Sequence, residues 1–261
     1  QMGTRENAKL DAYMEQRVQG NFTMGGVNFW PEMKNLSESL KDKIQSHHHT
    51  VSIFTNVIYD TSQINANTIF SDMFAWLEST MEIARAFPNT LFIVRTHPDE
   101  LRSGRESQET VEEWLTAKGY LQLPNLVFIS PLHYISSYQL LEISRFVLVY
   151  NSTIGLEAAV LGYPVIVAGH AKYSGANAAY QPTTPLNYQD MLQQFLTEDL
   201  PPLPEEWMQR ARQFMYYMLF HAGLRFSEFV EPLQGGIDYD YTFKNFPIHS
   251  LHPDQCPEIA L

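Results

Sequence analysis

The chain has 261 residues, 44% of them hydrophobic, which is enough for one large or two small domains with a full core. Its net charge of −12, from 17 basic and 29 acidic residues, argues against a nucleic-acid surface, which needs an excess of Lys and Arg. Its one cysteine, Cys256, excludes a disulfide framework or a cysteine metal site within one chain. No apolar run approaches the roughly 18 residues of a membrane span.

In chain order, residues 1–46 read as a lead-in. A charged helical stretch (Arg5 to Arg17) is followed by a Gly/Asn/Phe loop (Gly20 to Phe29) and a second charged helix (Pro31 to Ile44). The polar N-terminus does not read as a signal peptide and looks cut from a longer parent. The run His47-His48-His49 has no second ligand cluster nearby, so it predicts a solvated linker and no metal.

From residue 47 to about 200 the pattern alternates. Val51–Val57 reads as a buried strand, and Phe70–Ala86 as a helix with Phe70, Phe74, Leu77, Met81 and Ala84 on one face. Leu91–Arg95 is the next strand, Glu109–Lys118 a helix and Leu126–Ile129 a strand. Ser136 or Ser137 caps a short helix through Leu141. Phe146–Tyr150 is a strand, Ile154–Leu161 a helix with a Gly162 stop, Val165–Ala168 a strand and Asn187–Leu196 a helix. This alternation predicts an α/β fold with a doubly wound parallel sheet, Rossmann-like, carrying helical N- and C-terminal extensions. The segment 201–261 opens on a stiff Pro201–Pro204 connector. An aromatic-rich helix follows (Glu205–Phe220), and the pattern fades after about residue 232.

Two segments carry the densest chemistry. Asn151-Ser152-Thr153 precedes Ile154-Gly155-Leu156-Glu157 at the carboxyl end of a predicted strand. Ser152 and Thr153 can cap the helix and leave its first N–H groups for a phosphate. Gly155 lets a ligand approach the backbone. Glu157, amid apolar neighbours, suits the two hydroxyls of a ribose; the alternative is a helix-dipole contact. The second segment is Arg95-Thr96-His97-Pro98-Asp99-Glu100, also at a strand end. Arg95 and His97 can serve a phosphate, unless Arg95 merely pairs with Asp99 or Glu100. Two such edges in one sheet imply a shared crevice, with the phosphate between the 95–98 and 151–155 turns.

Weaker candidates are Thr55-Asn56, Asp60-Thr61, the turn Ser130-Pro131-Leu132 that can pack on a base, and His170 with Lys172 after the last strand. There is no GxGxxG after the first strand, no Walker lysine loop, no HExxH and no GxSxG elbow.

The segment Glu157-Ala-Ala-Val-Leu-Gly-Tyr-Pro-Val165 resembles the E-A-x-x-x-G-x-P-V stretch of GT-B glycosyltransferases. The wider set resembles the capsule polysaccharide biosynthesis proteins, which include Kdo-transferase-like enzymes. It comprises Thr55-Asn-Val-Ile-Tyr-Asp60, Arg95-Thr-His-Pro98, Ser136-Ser-Tyr138, Asn151-Ser-Thr-Ile-Gly-Leu-Glu157 and Val167-Ala-Gly169. The His-Pro and Ser-Thr pairs are also similar to the CMP-sugar sites of GT-B sialyltransferases. The resemblance covers about residues 50–225.

It implies a metal-independent glycosyltransferase with no resident cofactor, acting on a CMP- or UDP-linked sugar (CMP-Kdo among them). The acceptor is a bacterial polysaccharide or glycolipid, and the location is cytoplasmic or peripheral at the inner membrane. Arg95 and His97 are then catalytic. Thr55, Asn56, Pro131, Asn151, Ser152, Thr153, Gly155, Glu157 and His170 hold the donor. Only one Rossmann-like domain is visible, so the resemblance implies the C-terminal donor-binding half. The N-terminal domain is expected to be missing, and self-association is expected through the aromatic helix. The alternatives are a nucleotide-sugar epimerase of the same architecture and a non-catalytic nucleotide-sugar-binding module.

Overall fold

A computed structural model describes residues 2–20, 34–58, 65–101, 107, 109–200, 202–222, 229–232, 241–252 and 254–255. The loop expected over 21–29, the Asp60-Thr61 pair, Pro201 and Cys256 lie outside the described residues.

The chain divides into two compact units, residues 1–2 with 32–214 and residues 3–31 with 215–261. The boundaries expected at 46 and 200 both fall inside the first.

The first unit is built on five parallel strands: β1 (His49–Phe54), β2 (Thr90–Arg95), β3 (Leu126–Ile129), β4 (Phe146–Val149) and β5 (Val165–Val167). Their order is β3-β2-β1-β4-β5. The register pairs Phe54 with Arg95 and with Val149, and Arg95 with Ile129. The order reverses between β1 and β4, and crevices for ligands open at the carboxyl ends of strands on either side of such a reversal. The helices are α2 (Glu38–Gln45), α3 (Met73–Ala86), α4 (Val111–Ala117), α5 (Ser137–Glu142), α6 (Ile154–Val160), α7 (Pro185–Thr197) and the start of α8 (Glu205–Phe220).

Strand alternation distributes the core. Val51, Ile53, Phe92, Val94, Phe146, Leu148 and Ile166 join one cluster with Trp76 and Leu77 of α3, Leu115 of α4 and Phe195 of α7. The intervening Ser52 instead donates to the Leu140 carbonyl of α5 at 3.4 Å and accepts from Ser144 at 2.7 Å. Both faces of the sheet are thus covered, which is why its strands read as continuous apolar runs. Within the cluster the Trp76 indole donates to Tyr188 Oη at 2.9 Å, and Thr80 bonds the same oxygen at 2.7 Å, so the buried polar atoms are partnered.

Several element ends differ from the sequence reading, and caps explain them. Helix α3 starts at Met73 rather than Phe70, because the Asp72 carboxylate accepts from Ala75 N–H at 2.8 Å. Helix α2 starts at Glu38 rather than Pro31, where Ser37 caps Leu40. Helix α7 begins two residues early on Pro185, with Thr184 as its cap. Strand β1 ends at Phe54, so Thr55 and Asn56 are already loop. Gly162, at φ 87, ends α6 as expected. His49 is no linker residue but the first residue of β1, with Nε2 3.1 Å from the Arg145 guanidinium.

In the second unit, α1 (Thr4–Val18) buries Leu10 and Met14. Tyr13 meets the Phe220 ring edge-on, and Lys9 Nζ sits 3.8 Å over that ring. Past residue 229 two short strands pair antiparallel, β6 (Val230–Pro232) and β7 (Tyr241–Phe243). No described helix is long and apolar enough to cross a membrane.

Candidate functional site

Strand ends place the candidates. Thr55 leaves β1 and donates its N–H to the Arg95 carbonyl at 3.1 Å, which ties the β1 and β2 ends together. One residue on, Asn56 Oδ1 accepts from Asn151 N–H at 3.4 Å and links β1 to the turn after β4. Thr55, Asn56, Arg95 and Asn151 therefore converge at the carboxyl edge, three of them from strands flanking the reversal.

Arg95 is 2% exposed. One guanidinium nitrogen donates to the Ser130 carbonyl at 2.9 Å. Its Nε and Nη2 are buried without a hydrogen-bond partner, as is the Thr55 hydroxyl. The expected alternative of an Arg95 pair with Asp99 or Glu100 is not formed. Glu100 Oε1 instead accepts from Val111 N–H at 2.9 Å. Burial lowers the Arg95 pKa to about 10, still above neutrality, so the group stays cationic. Unpaired buried charge is costly, and the described protein groups leave the demand of these two donors unmet. Burial likewise pushes Glu100 up to about 7, partly opposed by the Val111 bond, with Glu112 and Glu113 adding to the rise.

His97 is half-buried at the start of the turn that continues into Pro98–Leu101. Its Nδ1 accepts from Asp99 N–H at 3.1 Å, which leaves Nε2 as the protonated nitrogen of the neutral ring. Pro131 is buried directly after Ser130, the carbonyl partner of Arg95.

The 151–157 segment departs from expectation at Thr153 and at Gly155. Thr153 occupies the N-cap position of α6 in a helical conformation and makes no side-chain cap bond. Two of the turn's backbone donors are engaged: Asn151 N–H goes to Asn56, and Gly155 N–H goes to the Ser152 carbonyl at 3.1 Å. That leaves the Ser152, Thr153 and Ile154 N–H groups and the Ser152 and Thr153 hydroxyls without a described partner in this turn. The space beside Gly155 is also filled from within. A Cβ there would lie 2.2 Å from Tyr173 Oη and 2.9 Å from Val149 Cγ2. Glycine is needed because Tyr173 passes under the helix to donate to Ser152 O at 2.9 Å.

Glu157 is 4% exposed, and Tyr138 Oη donates to its Oε2 at 2.5 Å. Tyr173 is pushed well above its ordinary pKa, by burial first and by Glu157 second. The roles of Tyr138 and Tyr173 were missed by the sequence reading. The available signal was that a buried tyrosine hydroxyl needs a partner. His170 is exposed, and its N–H donates to the Ala66 carbonyl at 2.7 Å. No described bond draws it toward Arg95 or Asn151. Among the described residues no three His, Cys, Asp or Glu side chains converge on a metal site.

Residues 15–202, more than half of the chain, match the family model of the capsule polysaccharide biosynthesis protein. The chain belongs to that family. No curated protein matches it at a significant level. Among solved structures it is similar to the KpsC β-Kdo 2,4 transferase of Thermosulfurimonas dismutans. The identity is 12% at a TM-score of 0.47, over 81% of this chain and 56% of that one. The β-Kdo 2,7 transferase of KpsC gives 14% and 0.41, over 81% and 54%. A UDP-GlcNAc 2-epimerase from Neisseria meningitidis, bound to UDP-GlcNAc, gives 16% and 0.40, over 70% and 48%. The chain thus spans about half the length of these solved chains. The capsule-family assignment rests on the sequence match.

Proposed function

We propose that this capsule-family chain binds a nucleotide-activated sugar at the carboxyl edge of β1, β2 and β4, and serves transfer of that sugar to a growing bacterial surface polysaccharide or glycolipid. The observation that carries the reading is Arg95, a buried cation with two nitrogens lacking partners, at a strand end joined by a backbone bond to Thr55, whose hydroxyl is also unpartnered. The donor is a CMP- or UDP-linked sugar whose phosphate lies against Arg95, His97 and the Ser152 and Thr153 hydroxyls. As the bond to the sugar breaks, negative charge gathers on the departing phosphate, and donors fixed in a dry site stabilise it without reorganising. In the proposed mechanism the protein alone meets that charge. Glu157, oriented by Tyr138, takes the ribose hydroxyls, and the Pro131 turn flanks the base. His170 stands at the outer rim. The chain acts as the donor-binding half in the cytoplasm, peripheral to the inner membrane where a glycolipid acceptor is concerned.

A thermal-shift panel of CMP, UDP, GDP and their sugars tests the binding step. Stabilisation by one nucleotide family supports it, and no shift with any of them contradicts it. The reaction class follows from a labelled nucleotide sugar. Release of nucleotide only when acceptor is present assigns transfer, whereas interconversion of the intact nucleotide sugar without acceptor assigns an epimerase.

A further inference from the structure

His97 sits between two anchors. Before it, Thr96 donates both its N–H, at 3.2 Å, and its hydroxyl, at 3.1 Å, to the Ile129 carbonyl of β3. After it comes Glu100, buried within the turn Pro98–Leu101. Glu100 N–H donates to the His97 carbonyl at 3.1 Å, and the Glu100 carbonyl accepts from Ser107 N–H at 3.0 Å. Its carboxyl oxygen Oε1 accepts from Val111 N–H at 2.9 Å, eleven residues on.

Helix α4 needs that bond. Its own capping box joins the Thr110 hydroxyl to Glu113 N–H at 3.2 Å and the Glu113 carboxylate to Thr110 N–H at 3.2 Å. The first N–H groups of a helix have no partner within it, and the box does not reach Val111. Glu100 supplies that partner from the turn that carries His97. The loop is otherwise incompletely satisfied, since the Ser107 hydroxyl is buried without a partner. A buried carboxyl group is a poor place for a charge. Burial, opposed by the Val111 bond and reinforced by Glu112 and Glu113 of α4, raises Glu100 from 4.5 to about 7. His97 and Asp99 are the other titratable groups of its own turn, and Arg95 makes no described bond to it.

We infer that Glu100 is a positioning residue for the donor site, which holds the His97 turn against α4 while it carries a proton and releases it when ionised. This rests on the donor reading, because His97 is what the turn presents to the phosphate. Protonated, the carboxyl group stays buried and still accepts from Val111. Ionised, it gains by reaching water, and the bond from Glu100 N–H to the His97 carbonyl carries the turn with it. Docking of the turn is therefore complete below about pH 4.5 and is lost as pH rises through about 7.

The test compares the whole natural chain with Glu100→Gln, which keeps an oxygen for Val111 N–H and cannot ionise, at about pH 6 and about pH 8.5. In calorimetry with CMP and UDP, the natural chain should match the variant at the lower pH and bind about threefold to tenfold more weakly at the higher. Titration of the phosphates and of His97 is common to both chains, so the ratio of their affinities reads Glu100 alone. Glu100→Ala, which lacks the acceptor, should weaken binding at both pH values. Without nucleotide, the protection of Val111 N–H against hydrogen exchange should fall across the same window in the natural chain and stay level in Glu100→Gln. The exchange measurement on the natural chain needs neither a variant nor a ligand. If neither CMP nor UDP binds, the donor reading fails, and Val111 protection alone decides the role of Glu100. An affinity ratio that is the same at both pH values, or level protection of Val111 in the natural chain, would overturn it.

Discussion

Arg95 at the end of β2 and Glu157 in α6 are both almost fully buried, at 2% and 4% exposure, but their surroundings differ. Glu157 receives a 2.5 Å bond from Tyr138. Arg95 keeps two nitrogens without a partner. Burying ionised groups is costly, and a fold normally answers the cost with bonds. At Glu157 it has done so, which fixes the carboxylate's direction. At Arg95 the demand is left open at the carboxyl edge of the sheet. The comparison separates a buried group held by a hydrogen bond from one with two donors unused.

The sharpest way to break the orientation side is Gly155→Ala. The new methyl meets Tyr173 Oη, so the helix or the tyrosine must shift, and stability should fall by about 1–3 kcal/mol. Adding Tyr173→Phe should recover part of the loss in denaturant melts, because it removes the clashing oxygen. Strict additivity of the two would show that they do not meet.

Tyr138→Phe comes next. It removes the donor to a buried carboxylate and should cost about 1–3 kcal/mol. It should also weaken nucleosides more than inorganic phosphate; equal weakening would mean that Glu157 faces no ribose. On the other side of the comparison, Arg95→Met should leave the melting temperature unchanged or raise stability by about 1 kcal/mol, since it removes an unpaired buried charge. A large loss of stability would make Arg95 a core strut.

The smallest effect concerns pH. Glu100, raised from 4.5 to about 7 by burial, holds a proton in the folded state where the unfolded chain has lost it. Its contribution to stability is full below about pH 4.5 and declines as pH rises through about 7. Melting curves across that window should flatten in Glu100→Gln. An unchanged slope would assign the pH dependence to other groups.

The parallel sheet was legible because its strands are short apolar runs separated by helical periodicity. Even the Gly162 stop and the span of α8 match the sequence reading. Helix starts were less legible where a polar side chain such as Asp72 or Ser37 decides between two plausible turns. At the site, the strand-end segments were readable from their types and positions. Their bonds were not. Tyr138 reaches Glu157 across 19 residues, and Tyr173 reaches Ser152 across 21, so no local pattern encodes either contact. For Arg95 the local pattern misleads. Asp99 and Glu100 stand near it in sequence, but Glu100 turns to the start of α4 instead.

The most direct test of the account is a calorimetric titration of CMP and UDP into the natural chain and into Arg95→Met, at low and moderate salt. The account predicts saturable binding of one nucleotide to the natural chain. In the variant it predicts a loss of about a hundredfold with the fold intact, the scale of removing one partner from a buried charge contact. Equal affinity in the two proteins would contradict it, because the open nitrogens of Arg95 would then serve no phosphate.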